Sequence, residues 1–289
     1  MLHFTTRLNQ TVDGPDPRSA GSRFPDVADR RLIFSINSGR SGSKYLAQLL
    51  GTARHVKSFH EAEPKMSGAF IEIINSEPLE RSREKRRIKA EAIAKILRAS
   101  RRKQIYAETN HTFIKTFFDV VLEDFRNVDV IILRRELALV LKSFIELGYF
   151  SARNPVAWNW MSSPNAATAA LPAIGPDATL DQFDLCIAYL LDIEERAERF
   201  KRDYPNVRTH DVRLEQLNQT SSVEDFFHRL AITPTSETKK LCGRVINEKQ
   251  PRKSHVANPT TLEECRRRLA EYIRKATDQG IRMPLSVTI

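Results

Sequence analysis

One unit near the start of the chain limits the fold more than any other. An apolar run, Arg31-Leu-Ile-Phe-Ser-Ile36, enters a glycine-rich turn, Asn37-Ser-Gly-Arg-Ser-Gly-Ser43, and then Lys44-Tyr-Leu-Ala-Gln-Leu-Leu50. The first run reads as a strand. The last puts Tyr45, Leu46, Leu49 and Leu50 on one face of a helix that Gly51 stops. A strand that feeds a helix this directly sets up a crossover to a parallel neighbour. His55–Phe59, Gln104–Glu108, Val128–Leu133 and Asn206–His210 read as further strands. The Val128 run is β-branched and nearly continuous, as a strand covered on both faces requires. Helical spacing fills most of 66–102, 113–125, 136–147, 179–203, 223–230, 237–245 and 261–277. The alternation predicts an α/β fold: a P-loop-type parallel sheet flanked by helices on both faces, with helical insertions, as a single domain over 31–289. Residues 1–30, rich in Pro, Gly, Ser and Asp, read as a flexible N-terminal arm.

Composition removes several classes of function. No apolar run approaches the roughly 20 residues of a membrane span, and the first thirty residues lack the apolar centre of a secretory signal. Cys186, Cys242 and Cys265 have neither disulfide-framework nor zinc-ligand spacing, so a reducing cytoplasm is the expectation. The net charge of +10 suggests a polyanionic partner. Between Glu80 and Lys103, however, eleven cations face three acids, a net +8, so most of the excess sits in one segment. With Ile88, Ala92, Ile93 and Ile96 turned inward, that segment reads as a solvated basic helix. It has no interleaved aromatics for stacking bases, and no nucleic-acid partner is expected.

Chemistry concentrates in two places. In Ser38-Gly39-Arg40-Ser41-Gly42-Ser43 the glycines let the backbone approach an anion, and successive amides at a helix N-terminus supply donors. Arg40 and Lys44 add full charges. A magnesium-triphosphate loop needs a hydroxyl directly after its lysine, and here Tyr45 follows Lys44, which disfavours a kinase. The second place is the end of the Val128 strand, Arg134-Arg135, with Ser143 eight residues beyond Arg135 on the next helix. Ligands of parallel sheets bind at the carboxyl ends of strands, where Arg135 emerges.

Together these segments resemble the sulfotransferase superfamily, which uses 3′-phosphoadenosine 5′-phosphosulfate (PAPS) as sulfuryl donor and releases 3′,5′-adenosine bisphosphate. The likeness is nearer to bacterial and carbohydrate-type members than to hormone-sulfating ones. Ser38–Leu46 is similar to the family's 5′-phosphosulfate loop, with Gly39 where proline is common and Arg40 where lysine is common. Ile131–Ser143 is similar to its 3′-phosphate segment. The resemblance implies that Arg40, Ser41, Gly42, Ser43 and Lys44 cradle the 5′-phosphosulfate, with Arg40 at the leaving oxygen, and that Arg135 and Ser143 grip the 3′-phosphate. His210–Leu217 has a weaker likeness. Lys249, Arg252 and Lys253 stand in the only basic loop comparable to the family's C-terminal nucleotide segment.

The implied reaction is metal-free in-line transfer to a hydroxyl, or less readily an amine, of a small molecule or glycan. Glu61 is the first choice of base, with His60 and His111 as alternatives. Glu108 and Asn110 are expected to orient substrate or base. Tyr149, Phe150, Trp158 and Trp160 are expected to line the acceptor cleft. A P-loop small-molecule kinase and a non-catalytic polyanion-binding protein are the rival readings, and the oligomeric state is open.

Overall fold

The computed structural model describes residues 21–100, 104–175, 179–243 and 259–287. Five strands form one parallel sheet: β1 (Arg31–Ile36), β2 (Val56–His60), β3 (Ile105–Thr109), β4 (Val128–Arg134) and β5 (Arg208–Arg213). Their order across the sheet is β2-β3-β1-β4-β5. Neighbours run in register, with Ile33 opposite both Ala107 and Asp129. Between the strands lie α1 (Ser43–Gly51), α2 (Ala69–Ser76), α3 (Leu79–Arg86), α4 (Ile88–Ala99), α5 (Phe118–Asp124), α6 (Leu137–Glu146) and α7 (Gln182–Asp203). After β5 come α8 (Thr220–Arg229), α9 (Ser236–Leu241) and α10 (Leu262–Asp278). Among the described residues no helix is long and apolar enough to cross a membrane.

The alternation of strand side chains separates two cores. Leu32, Phe34 and Ile36 of β1, with Val130 and Ile132 of β4, face a large cluster completed by α4, α5, α6, α7 and α10. Ile33, Ile131 and Leu133 face the opposite cluster, where Leu46 and Leu49 of α1 meet Phe226 and Phe227 of α8. Both faces of β1 and β4 are therefore apolar, which is why these strands show no hydrophobic alternation. β1 leads through α1 to one side of the sheet, and β4 leads through α6 and α7 to the other. The crevice between their carboxyl ends is the topological switch point, where ligands of open parallel sheets bind.

Several sequence expectations are corrected. The stretch 113–125 is a π-helical turn (Phe113–Phe117) followed by α5, and all five residues of the turn are buried, Lys115 included. The last strand lies a few residues later than its hydrophobicity suggests, because pairing of Arg208–Arg213 with β4 is a backbone matter at a sheet edge. The described part of the N-terminal arm is not loose. Val27 and Ala28 are buried, Phe24 stacks on Phe125, and Arg98 grips the Asp26 carboxylate with two bonds of 2.7 Å.

The basic segment is corrected most. Ile88 is largely exposed, whereas Arg86, Arg87 and Lys89 are buried. Arg86 binds Asp119 and the Thr116 carbonyl, and Arg87 meets Asp124 at 2.7 Å. Among its described cations Arg81, Lys85 and Lys95 are solvent-facing with no ion pair.

Below the sheet's other end, Asp129 of β4 is fully buried. It accepts from Arg31 Nε at 2.7 Å, Arg208 Nε at 2.6 Å and His210 Nε2 at 3.4 Å. Burial pushes its carboxyl up, and the bonds from His210, Arg208 and Arg31 outweigh that, holding it well below the usual carboxylate range. The pairing therefore stabilises the fold fully above the ordinary carboxylate pKa of about 3.9 and is lost only as pH falls toward the depressed folded value. Asp129→Ala is expected to cost about 2 kcal/mol at neutral pH, somewhat less than a fully enclosed pair because Arg208 reaches solvent. Urea denaturation checks this, and the deficit should shrink toward pH 2.

Candidate active site

The loop after β1 is held by its first residue. Asn37, buried, donates to Ser35 Oγ at 2.9 Å and accepts from the Gly39 amide at 3.0 Å. The chain then passes through left-handed backbone at Gly39, Arg40 and Gly42. At Gly42 a side chain is disfavoured by the backbone, with φ +91°, and a Cβ there would lie 2.4 Å from Leu214 Cδ1, so that leucine would have to shift. α1 starts directly afterwards with no side-chain cap and no acidic residue in its first turn. Its free amides and helix dipole thus face an electropositive cradle. The Ser41 hydroxyl is buried and has no hydrogen-bond partner among the described residues. A buried orphan hydroxyl, open amides and nearby cations suit a phosphate-bearing ligand.

A cleft of about 500 Å³ opens here, lined by Arg40, Lys44, His60, Glu61, His111 and Arg135, among others. The two segments singled out in the sequence touch. Arg40 Nε donates to Ser143 Oγ at 3.0 Å, and Arg135 Nη1 donates to the Arg40 carbonyl at 3.2 Å. Ser143, two turns along α6, thus reaches the phosphate loop through Arg40. A second cavity of about 440 Å³ lies on the other side of Arg135, against α10.

Across the cleft stand the three candidate bases. Glu61, half-buried and in left-handed backbone, follows β2 and anchors its amide on the Thr109 carbonyl at 3.1 Å. Its Oε1 lies 3.6 Å from His111 Nε2 and 3.9 Å from His60 Nε2. His60 Nδ1 is 3.2 Å from the Thr109 carbonyl. Burial keeps the His111 imidazole well below its ordinary pKa, and Lys115 and His60 act in the same direction.

Glu108 and Asn110 do not contact the cleft, a correction to their expected contact with substrate. Both are fully buried. Glu108 accepts from Lys89 Nζ at 2.8 Å, Tyr106 OH at 2.5 Å, Asn110 Nδ2 at 2.9 Å and the Ala62 amide at 3.0 Å. Asn110 Oδ1 accepts from the Thr112 amide and hydroxyl. Their part is to fix the loop that follows Glu61 and the turn that carries His111. Tyr149 and Trp160 line the cleft, but Trp158 does not: it is 45% exposed and packs edge-on against the buried Phe150. Lys249, Arg252 and Lys253 lie outside the described residues.

Lys115 is a functional residue that the sequence pattern does not mark. It is fully buried, donates to the Trp160 carbonyl at 2.7 Å and Tyr189 OH at 2.9 Å, and lies 3.3 Å from His111 Nδ1. The signal is a lysine four residues after His111 in a stretch dominated by Phe113, Ile114, Phe117 and Phe118.

No protein-family model matches the chain, and no curated protein does. Among solved structures it is similar to a sulfotransferase from Alicyclobacillus acidocaldarius at 11% identity, covering 86% of this chain and 95% of that one, with a TM-score of 0.48. It is also similar to the sulfotransferase domain of the Synechococcus PCC 7002 olefin synthase (12%, 92% and 100%, TM-score 0.47) and to that of the curacin biosynthetic pathway (14%, 88% and 99%, TM-score 0.46). At these identities and scores none of them assigns a donor, an acceptor or a residue role to this chain.

Lys89→Met is expected to destabilise the protein by about 3 to 5 kcal/mol, because it leaves the Glu108 carboxylate buried without its counter-charge. The double variant Lys89→Met/Glu108→Gln should recover part of that loss in urea denaturation.

Proposed function

We propose that the chain is a sulfotransferase that takes a sulfuryl group from PAPS and delivers it to a hydroxyl. The observation that carries this reading is the joining of Arg40 to both Ser143 and Arg135, which gives one cleft two phosphate-directed segments, opposite a carboxylate flanked by imidazoles. When bound, the donor supplies an activated sulfuryl group and a phosphate leaving group. The Ser43 and Lys44 amides at the start of α1, the Ser41 hydroxyl and the Lys44 ammonium would hold its 5′ end. Arg135 and Ser143 would hold its 3′-phosphate. Arg40, between them, would stabilise negative charge growing on the leaving oxygen, the kind of preorganised contact that lowers barriers most. Glu61 would remove the acceptor's proton, with His60 and His111 orienting its carboxylate.

The walls also bear on the acceptor. Besides Arg40, Lys44 and Arg135, the cleft lining includes His60, His111, Tyr149, Trp160 and Met161. An alcohol with an apolar or sugar face suits the aromatic part of these walls. Tyr45, where a magnesium hydroxyl would be needed for a kinase, is buried and gives its phenol to the Leu217 carbonyl at 2.8 Å.

Binding to the native state raises thermal stability by mass action. 3′,5′-Adenosine bisphosphate is expected to raise the melting temperature, magnesium-ATP is not, and Arg135→Ala or Ser143→Ala should abolish the shift. A shift with magnesium-ATP alone would overturn the proposal. With an acceptor found by sulfur-label transfer, Glu61→Gln should lower kcat by about 100-fold or more while leaving the bisphosphate shift intact.

A further inference from the structure

Buried cations in this protein usually meet a carboxylate: Arg86 has Asp119, Lys89 has Glu108 and Arg196 has Asp192. Lys115 is fully buried and has no carboxylate within ion-pair distance among the described residues. Its Nζ has three polar neighbours instead, and one of them has a fixed hydrogen-bonding sense. The Trp160 carbonyl can only accept. The Tyr189 phenol has the Ser38 carbonyl of the phosphate loop at 3.3 Å as an acceptor for its own hydrogen, and in that arrangement it accepts from Lys115. The third neighbour, His111 Nδ1 at 3.3 Å, donates or accepts according to the ring's tautomer.

The two charge states of Lys115 then have different consequences. An ammonium has a third N–H, which it donates to His111 Nδ1. The hydrogen of the neutral imidazole must then sit on Nε2, directed at Glu61 Oε1 3.6 Å away. An amine has a lone pair in that position. It accepts from Nδ1–H, and His111 Nε2 becomes a bare acceptor facing Glu61 and the cleft. We propose that Lys115 is a positioning residue whose charge selects which nitrogen of His111 carries hydrogen, and so whether His111 supports Glu61 as a donor or rivals it as a base.

This deepens the sulfotransferase reading and rests on it for the identity of the reaction, though not for the tautomer itself. The charged groups around the pair come from three elements. α7 brings Asp192 and Arg196, and Asp192 is already engaged by Arg196 and by the Ala170 and Leu171 amides. The end of β2 and the residue after it bring His60 and Glu61, and the π-helical turn brings Lys115 itself. Burial, reinforced by Arg196, lowers the Lys115 pKa well below the usual lysine range against the opposing pull of Asp192 and Glu61. The ammonium is therefore the low-pH state and the amine the high-pH state, with the change displaced toward neutrality.

Nitrogen-15 spectroscopy of histidine rings in the full chain tests this from about pH 5.5 to about pH 10, a range that brackets imidazole and a lowered lysine. The expected result is an Nε2–H tautomer of His111 that gives way to Nδ1–H as pH rises. In Lys115→Met the change should disappear, and in Lys115→Gln, which keeps a donor but no charge, Nε2–H should persist throughout. A wild-type tautomer that does not respond to pH, or an identical change in Lys115→Met, would overturn the proposal. If neither variant folds, the wild-type titration decides alone. Both variants should retain the 3′,5′-adenosine bisphosphate shift and lose one limb of the kcat/KM pH profile. A wild-type protein that transfers no sulfuryl group would remove the proposed reaction and leave the tautomer result standing.

Discussion

Lys89 and Glu108 meet at 2.8 Å with no solvent on either side chain. Taking two charges out of water is costly, and the pair is tolerable only because every remaining valence is used. Lys89 also donates to the carbonyls of Ala62 and Pro64, and Glu108 accepts from Tyr106, Asn110 and the Ala62 amide. The cleft depends on this knot. The bonds to Ala62 fix the residue directly after Glu61, and the bond to Asn110 leads through Thr112 into the π-helical turn that holds Lys115 under His111. A carboxylate and two imidazoles are thereby presented by backbone tied to a buried, hydrogen-bonded pair.

The cleft is electrically divided along the sheet. Cations come from the carboxyl ends of β1 and β4, which flank the switch point, and the acid–imidazole cluster comes from those of β2 and β3. A transferring group between two phosphate-directed segments and a base needs this polarity: positive where charge accumulates on a leaving oxygen, negative where a proton departs. Strand order supplies it, because β3 lies between β1 and β2 and brings His111 alongside the residues that follow β2.

Much of this could be read from the sequence. The β1 unit, the continuous Val128 strand and the Arg135-to-Ser143 spacing carry their own periodicity or turn chemistry, and each lies where the chain pattern puts it. Glu61, His60 and His111 were recognisable as residues at strand ends, though their convergence depends on the sheet order, which no local pattern encodes. Glu108 was misjudged because a polar residue at a strand end looks the same whether it faces a cleft or a buried lysine nineteen positions away. Lys115 was missed because a lysine in an aromatic helix reads as an exposed one, and only the tertiary packing reveals that it points inward. Trp158 and Trp160 are two residues apart in an irregular segment, where no period tells which one faces the cleft.

The internal pairing of Arg86, Arg87 and Lys89 has a consequence for how this chain meets polyanions. In the folded molecule these cations are spent on Asp119, Asp124, Glu123 and Glu108. Unfolding releases them beside Arg81, Lys85 and Lys95, so the denatured chain offers a denser cationic stretch than the native one. A ligand that prefers the unfolded form draws the equilibrium toward it. Retention on heparin or nucleic acid should thus rise as the fold is lost, and part of the high isoelectric point belongs to charges that the native packing hides.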